Sequence, residues 1–153
     1  MIDSELVGRK LLLIAKDVEA LQGLADMTLG VFLESPVNAV LAERYIERAV
    51  GRMIDVNYHL LTESGHAPPP DYYQSFVQLT AVGVCTPEFA RRLASCAGLR
   101  NRIAHEYDDI DPQKLFEAIR QAVRDVPEYL GQVDTWLRRS DATSKSAVPP
   151  AEG

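Results

Sequence analysis

The chain has 153 residues, 46% hydrophobic and 25% charged, which are the proportions of one ordinary globular domain with a core of its own. A formal charge of -6 excludes a general grip on nucleic acid through overall charge, though not a local basic site. The longest apolar run, LLLIA, is too short to span a bilayer, no secretory pattern marks the N-terminus, and Cys85 and Cys96 lack metal-ligand spacing, so the expected compartment is a reducing cytoplasm.

Apolar residues recur at helical spacing almost throughout, and no alternating strand pattern appears. Val7, Leu11, Ile14, Val18 and Leu21 form the stripe of a first helix. Leu41, Tyr45, Ala49, Met53, Val56 and Leu60 form a second, ending near Ser64-Gly65. The loop GHAPPP follows, whose prolines cannot propagate a helix, and DYYQSFVQL supplies a short third helix before Gly83. Ser35-Pro36, Thr86-Pro87 and Asp111-Pro112 each place a capping side chain before a proline at the first helical position, where the missing N–H costs nothing. The last stripe runs through Leu115, Ile119, Ala122, Val126, Leu130 and Val133, and Pro127 is expected to kink or divide it. The pattern predicts an all-α bundle of about five helices over residues 1–139, and a disordered C-terminal tail over 140–153.

Positive charge concentrates on one segment. Residues 86–107 hold Arg91, Arg92, Arg100 and Arg102 against Glu88 and Glu106, whereas the stretch that follows is acidic. On a helix begun at Pro87, Arg100 falls within the apolar stripe of Phe89, Leu93, Cys96, Ala97 and Ala104, with Tyr107 about 20° from it. A guanidinium there needs a partner or a polar cleft. His105 points about 140° away from Arg100, on the face of Asn101. One copy lets both side chains reach a phosphate from two directions. Two copies across a dyad surround a cleft with two arginines and two histidines, as in a homodimer. These residue types suit RNA cleavage without metal. Histidine takes the 2′-hydroxyl proton or protonates the leaving oxygen, arginine holds the phosphate, and Asn101 orients His105 or donates to the phosphate. No Asp/Glu/His constellation suggests a metal site, and no cofactor is expected.

In order, RYIERAVGRMIDVNYHLL, PPDYYQSFVQLTAVGV and LASCAGLRNRIAHEYDDID resemble the HEPN superfamily, above all the HepT-type toxins of two-gene HEPN/MNT toxin–antitoxin modules. The resemblance covers roughly residues 41–135 and includes the whole Arg-x4-His-x-Tyr pattern of that family. It implies a HEPN-like helical bundle, homodimeric with its cleft between protomers. It also implies a ribonuclease toxin neutralised by a nucleotidyltransferase (MNT) antitoxin. Position by position, it makes Arg100 and His105 the catalytic pair, matches Asn101 to the polar residue after the arginine, and makes Tyr107 the tyrosine that the antitoxin modifies with AMP, with Arg102 and Asp55 as further supporting candidates. Relatives often carry Asp-x-x-Asn-His on the second helix. Here Asp55 and His59 fit, while Tyr58 occupies the asparagine position.

The remaining polar residues have plainer readings. Asp55 and His59 form a helix-face hydrogen bond or support the cleft. His66 lies on the surface. Tyr72 and Tyr73 pack the short helix or stack on a base. Arg91 and Arg92 form a solvated face or guide RNA. Asp108, Asp109 and Asp111 end one helix and cap the next, or face a basic surface on the antitoxin. A different class of function also fits: a non-catalytic HEPN module that binds the nucleotidyltransferase and presents Tyr107 to it.

Overall fold

The computed structural model describes residues 1–105 and 110–146, so Tyr107 with its neighbours Glu106, Asp108 and Asp109 lies outside the described residues. All regular structure among the described residues is helical: α1 (Ser4–Ala25), α2 (Leu29–Glu34), α3 (Pro36–Glu63), α4 (Tyr72–Val77), α5 (Pro87–His105) and α6 (Pro112–Ser146), with a 3-10 turn at Gln78–Thr80. No described helix is long and apolar enough to cross a membrane.

The bundle is all-α, as the periodicity requires, with six helices where about five were expected. The addition is α2, whose six residues are too few for a 3.6-residue pattern to emerge. It is fixed by its cap, since Thr28 Oγ1 accepts from Val31 N at 3.2 Å, and by buried Phe32, whose ring lies 5.0 Å from that of Phe116 on α6.

Of the three proline-led starts, two are capped as expected. Thr86 Oγ1 accepts from Phe89 N (3.3 Å) and Asp111 Oδ1 from Gln113 N (2.9 Å), whereas Ser35 makes no capping bond and Pro36 alone sets the start of α3. Pro127 does not divide α6, which continues to Ser146, past the expected boundary at Arg139. Tyr129, Val133 and Leu137 keep the helix on the core beyond the proline, and Ser4 Oγ donates to Asp141 Oδ1 at 3.1 Å near its end.

α1 and α3 run antiparallel along a ladder of polar contacts. Asp3 N donates to His59 Nε2 (2.9 Å), Lys10 pairs with Asp55 (3.3 Å), and Arg52 pairs with Asp17 (2.5 Å). Asp55 and His59 therefore both turn to α1, in place of the mutual bond their spacing suggested. Beneath them is a polar knot. Asn57 donates to Ser75 Oγ (3.3 Å), Tyr129 Oη donates to Asn57 Oδ1 (2.7 Å), and all three residues are buried. It ties α3, α4 and α6 together and so fixes the wall against which α5 packs.

Candidate functional site

An open cleft of about 600 Å³ lies where α3, α4 and α5 meet, lined by Arg44, Glu47, Arg48, Gly51, Arg52, Ile54, Asp55, Tyr58, Tyr72 and Arg100. Each helix supplies its part for a local reason. On α3 the residues four apart share one face, so Arg44, Arg48 and Arg52 form a single row above the buried row of Ala42, Ile46, Ala49 and Met53. On α4, Asp71 caps the first turn by accepting from Gln74 N (2.7 Å), which starts the helix at Tyr72. On α5, buried Leu93, Ala94 and Ala97 seat the helix and bring Arg100 to the cleft.

Arg100 is half-buried, as its place in the apolar stripe demanded. Its guanidinium carbon lies 5.5 Å from the centre of the Tyr72 ring, a cation–π contact worth about 0.5–2 kcal/mol. The edge of Tyr72 meets Tyr58, with ring centres 6.3 Å apart, and Tyr58 Oη donates to the buried Pro69 carbonyl at 3.1 Å. Burial pushes the Tyr58 phenol above its ordinary value, with the Tyr72 and Asp71 charges adding to the shift, so it stays a neutral donor. Arg100 Nη1 donates weakly to Asn101 Oδ1 at 3.5 Å, and its buried Nε has no protein partner. Among the described residues no carboxylate neutralises Arg100. A charged group so placed is prepared for an incoming anion.

The sequence-predicted residues divide between the two sides of α5. Arg100 and Asp55 share the cleft, and Asn101 touches Arg100. Arg102 lines a smaller hollow on the other side, with Ile110, Asp111 and Lys114. His105 is the last residue of α5, exposed, and not among those lining the cleft. Within the single chain the structure does not join the arginine and the histidine, in keeping with their separation around the helix. Tyr107 lies outside the described residues.

Arg92 is exposed, as a solvated face requires, but it also has partners on α6. It contacts Asp125 (3.1 Å) and Glu128 (3.5 Å) on α6 and stacks on Phe89 at 5.0 Å, so it is a strut between helices. Tyr72 and Tyr73 remain about 40% exposed and are not packed inside. The two thiols hold their protons, which disfavours the reactive thiolate. Burial pushes Cys85 and Cys96 up to about 11, with Asp125 adding to the shift at Cys96. Sequence reasoning missed Arg44 and Arg48. The signal was present as three arginines at i, i+4 and i+8, masked by Glu43 and Glu47 on the same segment. Among the described residues, no cluster of His, Cys, Asp and Glu is arranged to hold a metal ion.

A family model described as ribonuclease HepT-like matches residues 14–133. The chain is 32% identical over 136 residues, 89% of its own length and 92% of the relative's, to the tRNA nuclease HepT of Aphanizomenon flos-aquae (strain 2012/KM1/D3). Its fold is similar to that of the Shewanella oneidensis HEPN toxin, solved tri-AMPylated in complex with MNT antitoxin (TM-score 0.76, 18% identity, covering 88% of this chain and 99% of that one). It is also similar to YutE of Bacillus subtilis, a cytosolic protein of unknown function (TM-score 0.79, 12% identity, 91% and 93% covered).

Proposed function

Because the chain belongs to the ribonuclease HepT-like family, we propose that it is a toxin that cuts RNA without metal, using Arg100 and His105 in a homodimer and restrained by a nucleotidyltransferase antitoxin. The observation that carries the reading is Arg100: a half-buried guanidinium with no described carboxylate partner, in a cleft lined by four arginines of an acidic protein. It binds the scissile phosphate and offsets the charge that builds on its oxygens. His105 takes the proton from the 2′-hydroxyl as that oxygen attacks phosphorus, or gives one to the 5′-oxygen as the P–O bond breaks. The bond made and the bond broken both belong to the RNA, so the protein moves only a proton. His105 lies off the cleft in one protomer, and a second protomer across a dyad brings another Arg100 and His105 to the same phosphate.

Tyr107 is the regulatory residue in this reading. A phosphodiester and adenine attached there bring negative charge and bulk beside the residues that must bind RNA phosphate. The acids that follow it in the sequence, Asp108, Asp109 and Asp111, suit a basic surface on the antitoxin. The position of His105 also favours a second reading, a non-catalytic module whose role is to bind the nucleotidyltransferase and carry its modification.

The deciding experiment uses protein shown by mass to carry no AMP on Tyr107, incubated with RNA in EDTA beside His105→Ala. The relative at 32% identity is a tRNA nuclease, so tRNA is the first RNA to try. Cleavage by the wild type, with a loss of at least a hundredfold in the variant, is the expected result. Equal cleavage by both would sink the assignment of His105, and none by either would leave the binding module.

A further inference from the structure

Four arginines line the cleft against two carboxylates, Glu47 and Asp55, and the reaction needs only one phosphate held. The other three guanidiniums are differently engaged. Arg52 is committed, its Nη1 2.5 Å from Asp17 Oδ2, and that carboxylate is buried. Arg48 reaches the other oxygen of the same carboxylate at 3.6 Å, so two cations share one anion and a positive charge is left over. Arg44 meets Glu47 at 3.7 Å, a long contact on a side chain 64% exposed, of the kind worth little in water. Asp55 is held by Lys10 on α1 and is not free to cancel them.

We propose that Arg44 and Arg48 form a phosphate-binding subsite for the RNA strand flanking the phosphate held by Arg100, an inference that rests on the ribonuclease reading above. The two stand one helical turn apart, about 6 Å along α3, and face the same cleft as Arg100. Such a row follows a strand of successive phosphates, whereas a single anion is held by donors converging on one point. Tyr58 and Tyr72 form the adjoining wall, so the cleft combines guanidinium and aromatic groups as grooves for single strands do. Arg91, Arg92 and Arg102 on α5 do not line this cleft, so the α3 row takes the guiding task that was one of the two readings of Arg91 and Arg92.

The test is the binding of a 2′-O-methyl oligonucleotide, which lacks the attacking hydroxyl, measured by fluorescence anisotropy across a salt series. For single strands the logarithm of the affinity falls against that of salt with a slope of about 0.7 per neutralised phosphate. The Arg44→Ala/Arg48→Ala variant is expected to bind at least tenfold more weakly with a slope smaller by about 1.4, and Arg44→Lys/Arg48→Lys to recover most of that slope. An Arg124→Ala/Arg138→Ala control removes the same charge from exposed positions on α6 and is expected to change neither quantity. In cleavage assays the alanine pair is expected to raise KM by the factor lost in binding while kcat stays within about threefold. Equal slopes for wild type and the alanine pair, or an equal loss in the α6 control, would overturn the subsite. So would an alanine pair unable to bind the antitoxin while still binding RNA normally, since the row would then serve the antitoxin. A wild type that binds with the expected slope but cuts no RNA would instead refute the ribonuclease reading and leave the subsite standing.

Discussion

Tyr129→Phe removes a single oxygen from the core and isolates another. In the wild type Tyr129 Oη donates to Asn57 Oδ1 at 2.7 Å and lies 3.2 Å from the Met53 carbonyl, with the Tyr129 side chain wholly enclosed. The Met53 carbonyl sits within α3 and keeps its helical partner, so the loss falls on Asn57. Its amide nitrogen still meets Ser75 Oγ at 3.3 Å, but its oxygen is left unpaired in a residue with no solvent exposure. The bond itself contributes about 1 kcal/mol, and stranding the acceptor costs about 1–3 kcal/mol, so the substitution should destabilise by about 2 kcal/mol. For a domain of this size that lowers Tm by about 4–8 °C, which urea titration and thermal melting both resolve. The Asn57→Leu/Tyr129→Phe pair replaces both partners and should cost less than the two single changes together, because no acceptor is then stranded. A Tyr129→Phe protein within about 0.5 kcal/mol of wild type, or a strictly additive pair, would refute the account of the knot.

Two further outcomes follow from the helix contacts and from the buried acids. Arg92→Ala strips Asp125, a buried carboxylate that among the described residues then keeps only the Gln121 amide at 2.9 Å, and should destabilise by about 1–2 kcal/mol in urea melts, the figure being discounted because Arg92 is about half exposed. The Cys85 and Cys96 thiols, pushed up to about 11, and the Tyr129 phenol, raised by burial, hold their protons in the fold at a pH where the unfolded chain releases them. Their contribution to stability is therefore complete below the unfolded thiol value of about 8.5 and is lost as pH rises towards 11. Urea midpoints that stay level from pH 8 to pH 11 would contradict this.

The fold was legible where helices are long. Every residue of the first stripe, Val7 to Leu21, is buried, as are Ala49, Met53, Val56 and Leu60 of the second. It was illegible at Leu41, which the same pattern placed inside and which stays 40% exposed, because a periodicity marks a face without saying how far the neighbouring helix extends along it. Pro127 does not divide α6 because a proline forfeits one bond and strains one turn, while Tyr129, Val133 and Leu137 bury three large side chains beyond it. At the site, the burial of Arg100 and its need for a cleft could be read from its position alone. That Asp55 and His59 turn to α1 could not, because partners from another helix belong to tertiary structure. The α3 arginines were visible but hidden by summation, since local charge counts cancel Arg44, Arg48 and Arg52 against Glu43, Glu47 and Asp55 on the same helix.

The contact between Ser4 and Asp141 spans 137 positions of sequence, and α1 is packed along both α3 and α6. The first helix thus finds its full set of neighbours only when the last is present. Pairings this remote are closed late, after shorter loops such as that between α4 and α5 have formed. A chain interrupted before Pro112 lacks all of α6 and leaves Phe32 and the inner side of α1 uncovered, with apolar surface open to other chains. Every residue lining the cleft lies between Arg44 and Arg100, yet that wall stands only on a core completed from outside it. Fragments spanning the cleft alone are therefore expected to clump or be degraded, so that this molecule works whole or not at all.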